Sequence, residues 1–200
     1  VRLPTPTGQW FASSDGTRWW FDSGSVALDF AYTGGFSERW ESLHRPADLA
    51  GWLSGRFPEL ADFDPTAVGE RDLTDAKGLR DSLAALARAA SRSEPAPAGD
   101  VDVVNLFAAT PDIPPAALSG GSRRAGRTSA QPRQALSAMA REAVQLFGAA
   151  PERIRECAAH ECGLIFYDES RSNNRRWCSM QRCGNRAKVR AHRGRTGSAA

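Results

Sequence analysis

The stretch Cys157-x4-Cys162-x15-Cys178-x4-Cys183, running straight into Gly184-Asn185-Arg186-Ala187-Lys188-Val189-Arg190, contains all four cysteines of a 200-residue chain. Two symmetric pairs around a short loop predict a tetrathiolate metal site. Four thiolates can neutralise and enclose one borderline-soft d10 cation in a closed tetrahedron. That points to a single Zn2+ in a structural role, with no open position for a substrate. Two disulfides, in any of three pairings, or four free thiols are the alternatives. Disulfides fit less well, because residues 1–150 contain no cysteine and no cationic start followed by an apolar run is present. His160, between the first pair, is a substitute ligand, although the cysteines alone complete the shell.

Around those cysteines, Arg155-Glu156-Cys157, Cys162-Gly163-Leu164-Ile165-Phe166-Tyr167-Asp168, Ser170-Arg171, Arg175-Arg176-Trp177-Cys178-Ser179-Met180 and Cys183-Gly184-Asn185-Arg186-Ala187-Lys188 together resemble the CGNR-type zinc finger. The resemblance covers about 150–195, and the Cys-Gly-Asn-Arg tetrapeptide is intact. Upstream, Phe21-Asp22-Ser23-Gly24-Ser25-Val26-Ala27-Leu28-Asp29-Phe30-Ala31-Tyr32-Thr33 resembles the opening of the ABATE-type domain that usually precedes this finger in bacterial proteins. What the resemblance implies is a stress-linked transcription regulator, cytoplasmic, with a nucleic-acid-binding C-terminus.

The expected fold class is α+β. A mainly helical N-terminal domain with a small β-hairpin occupies 1–150, and a small treble-clef-like or ribbon-like zinc finger with a C-terminal helix occupies 151–195. Residues 196–200 are expected to be a disordered tail. About 41 % apolar content suffices for one core plus an appendage too small to fold alone. Structural zinc, worth on the order of 10–16 kcal/mol in finger peptides, is the expected staple. No run approaches the roughly 18 apolar residues of a membrane span, so no membrane partner is expected.

Along the chain, Trp10-Phe11-Ala12 and Thr17-Arg18-Trp19-Trp20-Phe21 flank an Asp-Gly turn and predict a β-hairpin. Pro46 opens a short helix that ends near Gly55 and Pro58. Leu79, Leu83, Leu86 and Ala87 repeat at helical spacing across about 70–92, with Gly78 weakening the first turns. Asp100 is the expected cap of a third helix carrying Val103, Val104 and Phe107. Residues 110–132, rich in Gly, Ser and Pro, read as a mobile loop, and Leu136, Met139, Ala143 and Phe147 as a helix over about 132–148. The dense aromatics from Trp10 to Trp52 read mainly as core, or else as the lining of a small-molecule effector pocket. Asp29, flanked by apolar residues, needs a backbone or arginine partner if it is buried.

Within the finger, Leu164-Ile165-Phe166-Tyr167 is a short β-run returning through Asn173-Asn174 to Arg175-Arg176-Trp177, which would bring the two cysteine pairs to the base of one hairpin. Gly163 and Gly184 suit tight turns, and Trp177 suits a cover over the metal. Residues 151–200 hold eleven Arg/Lys and five Asp/Glu, a net of +6, against −3 for residues 1–150. Such an asymmetry is the electrostatic footprint of a nucleic-acid-binding module on a near-neutral body. Arg175, Arg176, Arg182, Arg186, Lys188, Arg190 and Arg193 are the candidate contacts, with phosphate rather than base contact as the supported mode. Duplex DNA is the expected partner and a homodimer through the N-terminal helices the expected assembly. An RNA-binding accessory protein and a protein-interaction module with a zinc-stapled surface are the alternatives. An enzyme is not expected: His44, His160 and His192 are scattered, no nucleophile-elbow or phosphate-loop motif occurs, and the proposed shell is closed.

Overall fold

The computed structural model describes residues 5–12, 16–60, 63–111, 117–119, 122–124, 131–160 and 162–190, with Glu59 and the strands in 117–124 described by backbone alone. Strands β1 (Gln9–Ala12) and β2 (Arg18–Phe21) pair antiparallel with Phe11 opposite Trp19. The period of two sorts their aromatics onto two faces. Phe11, Trp19 and Phe21 are buried, whereas Trp10 and Trp20 lie on the outer face in an edge-to-face pair 5.5 Å apart. The predicted hairpin is present, and its aromatics serve as core on one face only.

Helices α1 (Val26–Ala31), α2 (Pro46–Arg56), α3 (Glu70–Ser91), α4 (Ala98–Ala109) and α5 (Pro132–Ala149) form the rest of the N-terminal part. The 22-residue α3 packs against α1, α2, α4 and α5. Its Leu73, Ala76, Leu79, Leu83 and Leu86 bury one stripe, while Gly78 faces open space and interrupts nothing. Asp100 does not cap α4. The helix begins two residues earlier after Pro97, whose fixed backbone starts it, and Asp100 lies in the first turn where its charge complements the helix dipole. Within the stretch expected to be a loop, Ala117–Ser119 (β3) and Ser122–Arg124 (β4) pair as two short strands.

Two carboxylates tie helix ends together. Glu142 on α5 accepts from the backbone N–H of Val26 and of Ala27, both at 3.1 Å, satisfying donors that the first turn of α1 leaves open. Asp29 is fully buried and accepts from Gly8 N–H at 2.6 Å, from Ser23 Oγ at 2.7 Å and from Arg56 at 3.1 Å. Both expected kinds of partner are thus present, and together they pin the entry to β1 against α1 and α2.

After α5 come β5 (Ile154–Glu156) and β6 (Ile165–Tyr167), then a π-helical turn (Met180–Gly184) that continues as α-helix over 185–190. These elements do not hang off the body as an appendage. Phe11, Trp19, Phe21 and Tyr32 share one buried cluster with Leu164, Phe166 and three of the four cysteines. Tyr32 Oη accepts from Ile165 N–H at 2.6 Å and donates to Ile165 C=O at 2.9 Å, and Tyr167 N–H donates to Ser23 C=O at 2.7 Å. No helix among the described residues is long and apolar enough to cross a membrane.

Candidate metal centre and basic groove

β5 and β6 are antiparallel, with Arg155 opposite Phe166, and the first cysteine pair closes the end of this hairpin. Cys157 N–H donates to Leu164 C=O at 2.8 Å and Cys162 N–H to Ala159 C=O at 3.1 Å, forming a tight knuckle. Gly163 leaves it at φ +64°, a left-handed conformation that costs a residue with a Cβ about 1–2 kcal/mol.

The partner of β6 is therefore β5, not the segment 175–177 predicted from the asparagine turn. The reason is Asp168, fully buried at the end of β6. It accepts from Ser170 N–H at 2.9 Å and from Arg175 N–H at 2.7 Å, which curls the chain into a loop instead of a strand return. These donors, with Arg155 nearby, hold the Asp168 carboxyl below the usual range although burial opposes them. Of the returning segment, Arg176 C=O accepts from Ala158 N–H at 2.9 Å, which draws the second cysteine pair onto the knuckle.

Cys178 follows that contact, and its N–H donates to Cys157 Sγ at 3.3 Å. Cys183, fully buried, is delivered by the π-helical turn, in which the N–H groups of Cys183 and Gly184 both donate to Ser179 C=O at 3.0 Å. The Met180 thioether end packs against Gly184, where a Cβ would have to displace it. Since the second pair comes from a turn that becomes a helix, the treble-clef-like form of the expected fold is the one present.

Ligand atoms of Cys157, Cys162, Cys178 and Cys183 all lie within 4.8 Å of one another. Sulfur separations are 3.6 Å for Cys162 and Cys178, 3.5 Å for Cys178 and Cys183, and 3.5 Å for Cys183 and Cys162. A tetrahedron with Zn–S bonds of about 2.3 Å has edges of roughly 3.8 Å, so the sulfurs of Cys162, Cys178 and Cys183 are within tenths of an ångström of one face of it, and Cys157 lies within 4.8 Å of all three. Without an ion, thiol hydrogen bonds from Cys162 and Cys178 hold Cys157 well below the ordinary thiol range, and the same sharing pushes Cys162 and Cys178 up. A divalent cation replaces those shared protons and lets all four sulfurs ionise. The site holds one structural Zn2+, and His160 is not among the clustered ligands.

The sequence-derived cations separate by position. Arg175 is half-buried: its guanidinium donates to Asp22 C=O at 2.9 Å, Trp177 C=O at 3.1 Å and Cys178 C=O at 2.7 Å, and covers the Phe166 ring at 4.1 Å. These bonds brace the finger against the body. Arg176, Arg186, Lys188 and Arg190 are exposed. Arg182 lies over the Trp19 ring at 3.5 Å, and Arg186 Nη2 is 3.5 Å from Cys183 Sγ. Arg193 and the 196–200 tail lie outside the described residues. Trp177 packs against the metal cluster as expected, but Trp19, Tyr32 and Trp40 from the N-terminal part cover it too. Only the alternation of buried aromatics through β1 and β2 hinted at that second layer.

Residues 24–150 match the ABATE family, described as putative stress-induced transcription regulator, and residues 153–196 match the CGNR zinc finger. The chain belongs to the ABATE family and carries a CGNR zinc finger. No curated protein matches it. The ABATE match begins after the β1–β2 hairpin, so the strands that cover the zinc centre precede the matched region. Neither matched family is described as an enzyme.

Proposed function

We propose that this ABATE–CGNR protein is a cytoplasmic transcriptional regulator that binds duplex DNA through the cations of its finger. The observation that carries the reading is the exposed run of Arg186, Lys188 and Arg190 on the helix over 185–190. None of the three has a carboxylate partner among the described residues, and the run is anchored at its start by Cys183. Arg176 extends the surface. Exposed cations without carboxylate partners on a fixed base are suited to phosphate contact, whose affinity comes from counterion release and carries no base preference by itself. The helical part supplies dimerisation or effector sensing; α4 offers the exposed Leu106 for a second copy.

Binding of the full-length, zinc-quantified protein to random duplex DNA and to single-stranded RNA across a salt series tests this. The expected result is duplex binding with a steep negative salt slope, made shallower by about one unit in Arg190→Ala and again in Lys188→Ala, with zinc content unchanged. Preference for RNA would transfer the surface to an RNA-binding role. Absence of binding to either polymer, with zinc stoichiometric, would make the finger a docking element for protein.

A further inference from the structure

A groove of about 730 Å³ runs between the β1–β2 hairpin and the finger. Its size falls in the range of small-molecule sites, roughly 300–1,000 Å³. Four arginines line it, Arg39, Arg182, Arg186 and Arg190, and no acidic residue does so among the described residues. Four thiolates on one Zn2+ leave two negative charges at its floor, so the walls still hold an excess of positive charge. Arg186 answers part of that floor charge through Cys183 Sγ. Arg39, Arg182 and Arg190 have no carboxylate within ion-pair distance among the described residues.

Two of these arginines lie over rings. The Arg182 guanidinium lies 3.5 Å from the centroid of Trp19 and that of Arg39 lies 4.2 Å from the centroid of Trp40. Guanidinium and indole groups are the planar groups on which nucleobases stack. Trp19 also carries a buried indole N–H with no acceptor among the described residues. Arg186 and Arg190, one helical turn apart, supply a pair of cations at the other wall.

We propose that this groove binds a free nucleoside monophosphate, its base against the Arg39–Trp40 and Arg182–Trp19 stacks and its phosphate on Arg186 and Arg190. Binding itself is independent of the regulator reading. One consequence rests on that reading: nucleotide and duplex DNA compete for Arg186 and Arg190, and each weakens the other by the same factor.

Calorimetric titration of the zinc-loaded full-length protein with the four ribonucleoside 5′-monophosphates, the matching nucleosides, inorganic phosphate and an oligothymidylate tests the proposal. Saturable binding of at least one monophosphate is expected, with the nucleoside and phosphate alone each at least about tenfold weaker, as follows when charge-assisted contacts and stacking act together. Arg39→Ala, an exposed position off the duplex-binding run, should weaken the monophosphate about tenfold while duplex affinity and zinc content stay unchanged. Equal binding of inorganic phosphate, insensitivity to Arg39→Ala, binding of the oligonucleotide only, or no binding at millimolar concentration would each overturn the proposal. Monophosphate binding that Arg39→Ala weakens, in a protein that binds no duplex, would overturn the regulator reading and leave this one standing.

Discussion

Arg175 and Arg176 are neighbours in sequence and opposites in role. Three carbonyl oxygens take the donors of Arg175, whereas Arg176 is exposed with its guanidinium 5.1 Å from the Trp177 ring. Arg175→Ala should lower the unfolding free energy by about 3 kcal/mol, because buried carbonyls lose charge-assisted donors, while Arg176→Ala should stay within about 0.5 kcal/mol. Urea unfolding of the two variants checks this contrast. Asp29 makes a pH-dependent case. Burial raises its pKa from 3.8 to about 6, against the Ser23 hydroxyl, Arg56 and the Gly8 N–H, which favour the charged form. Between those values the folded protein keeps a proton that the unfolded chain has released, so this residue's contribution to stability falls as pH rises through the window and is lowest above about 6. Asp29→Asn lacks that slope. Wild type should therefore gain in urea midpoint relative to the variant as pH is lowered from 7 to 4; parallel profiles would contradict the assignment.

Among the elements, the helix over 185–190 is too short to persist alone, since isolated helices below about 12 residues are marginal in water. It is ordered because Cys183 enters the metal site immediately before it. Chelation should therefore abolish polymer binding and lower the far-ultraviolet helix signal by a small part, and readdition of Zn2+ should restore both. Gly163→Ala, at its positive φ, should cost about 1 kcal/mol and weaken zinc retention, which a competitive chelator titration would read. The elements also show how far sequence carries. Helices α2, α3 and α5 were legible because their apolar residues recur at three and four positions, and the zinc ligands because four thiolates have few other uses. The pairing of β6 was not. Ile154-Arg155-Glu156 is too short to declare a strand, and the competing Asn173-Asn174 signal is overridden by Asp168, whose capping role depends on burial. Arg175 escaped for a similar reason: its acceptors are backbone carbonyls, which no residue pattern reveals.

At the scale of the molecule, the N-terminal part and the finger adjoin near Pro151 in sequence but share one core in space. Phe11, Trp19 and Tyr32 lie in one cluster with Cys157, Cys178 and Cys183. Zinc-loaded protein should thus unfold in one transition seen alike by circular dichroism and tryptophan fluorescence, and chelation should shift the fluorescence although Trp19 and Trp40 belong to the N-terminal part. Separate transitions for the two probes would argue for independent units. The charge asymmetry acts at this scale as well: a finger region of net +6 on a body of net −3 orients the protein as it approaches a polyanion. The shared aromatic cluster also bears on modularity. A finger excised at residue 151 and grafted onto another protein would take its four thiolates but leave behind the hairpin that shields them, exposing Leu164 and Phe166 and leaving the zinc open to competing chelators. For this chain the heritable unit is the pair, and a recombination joint between the two halves would cut through a core.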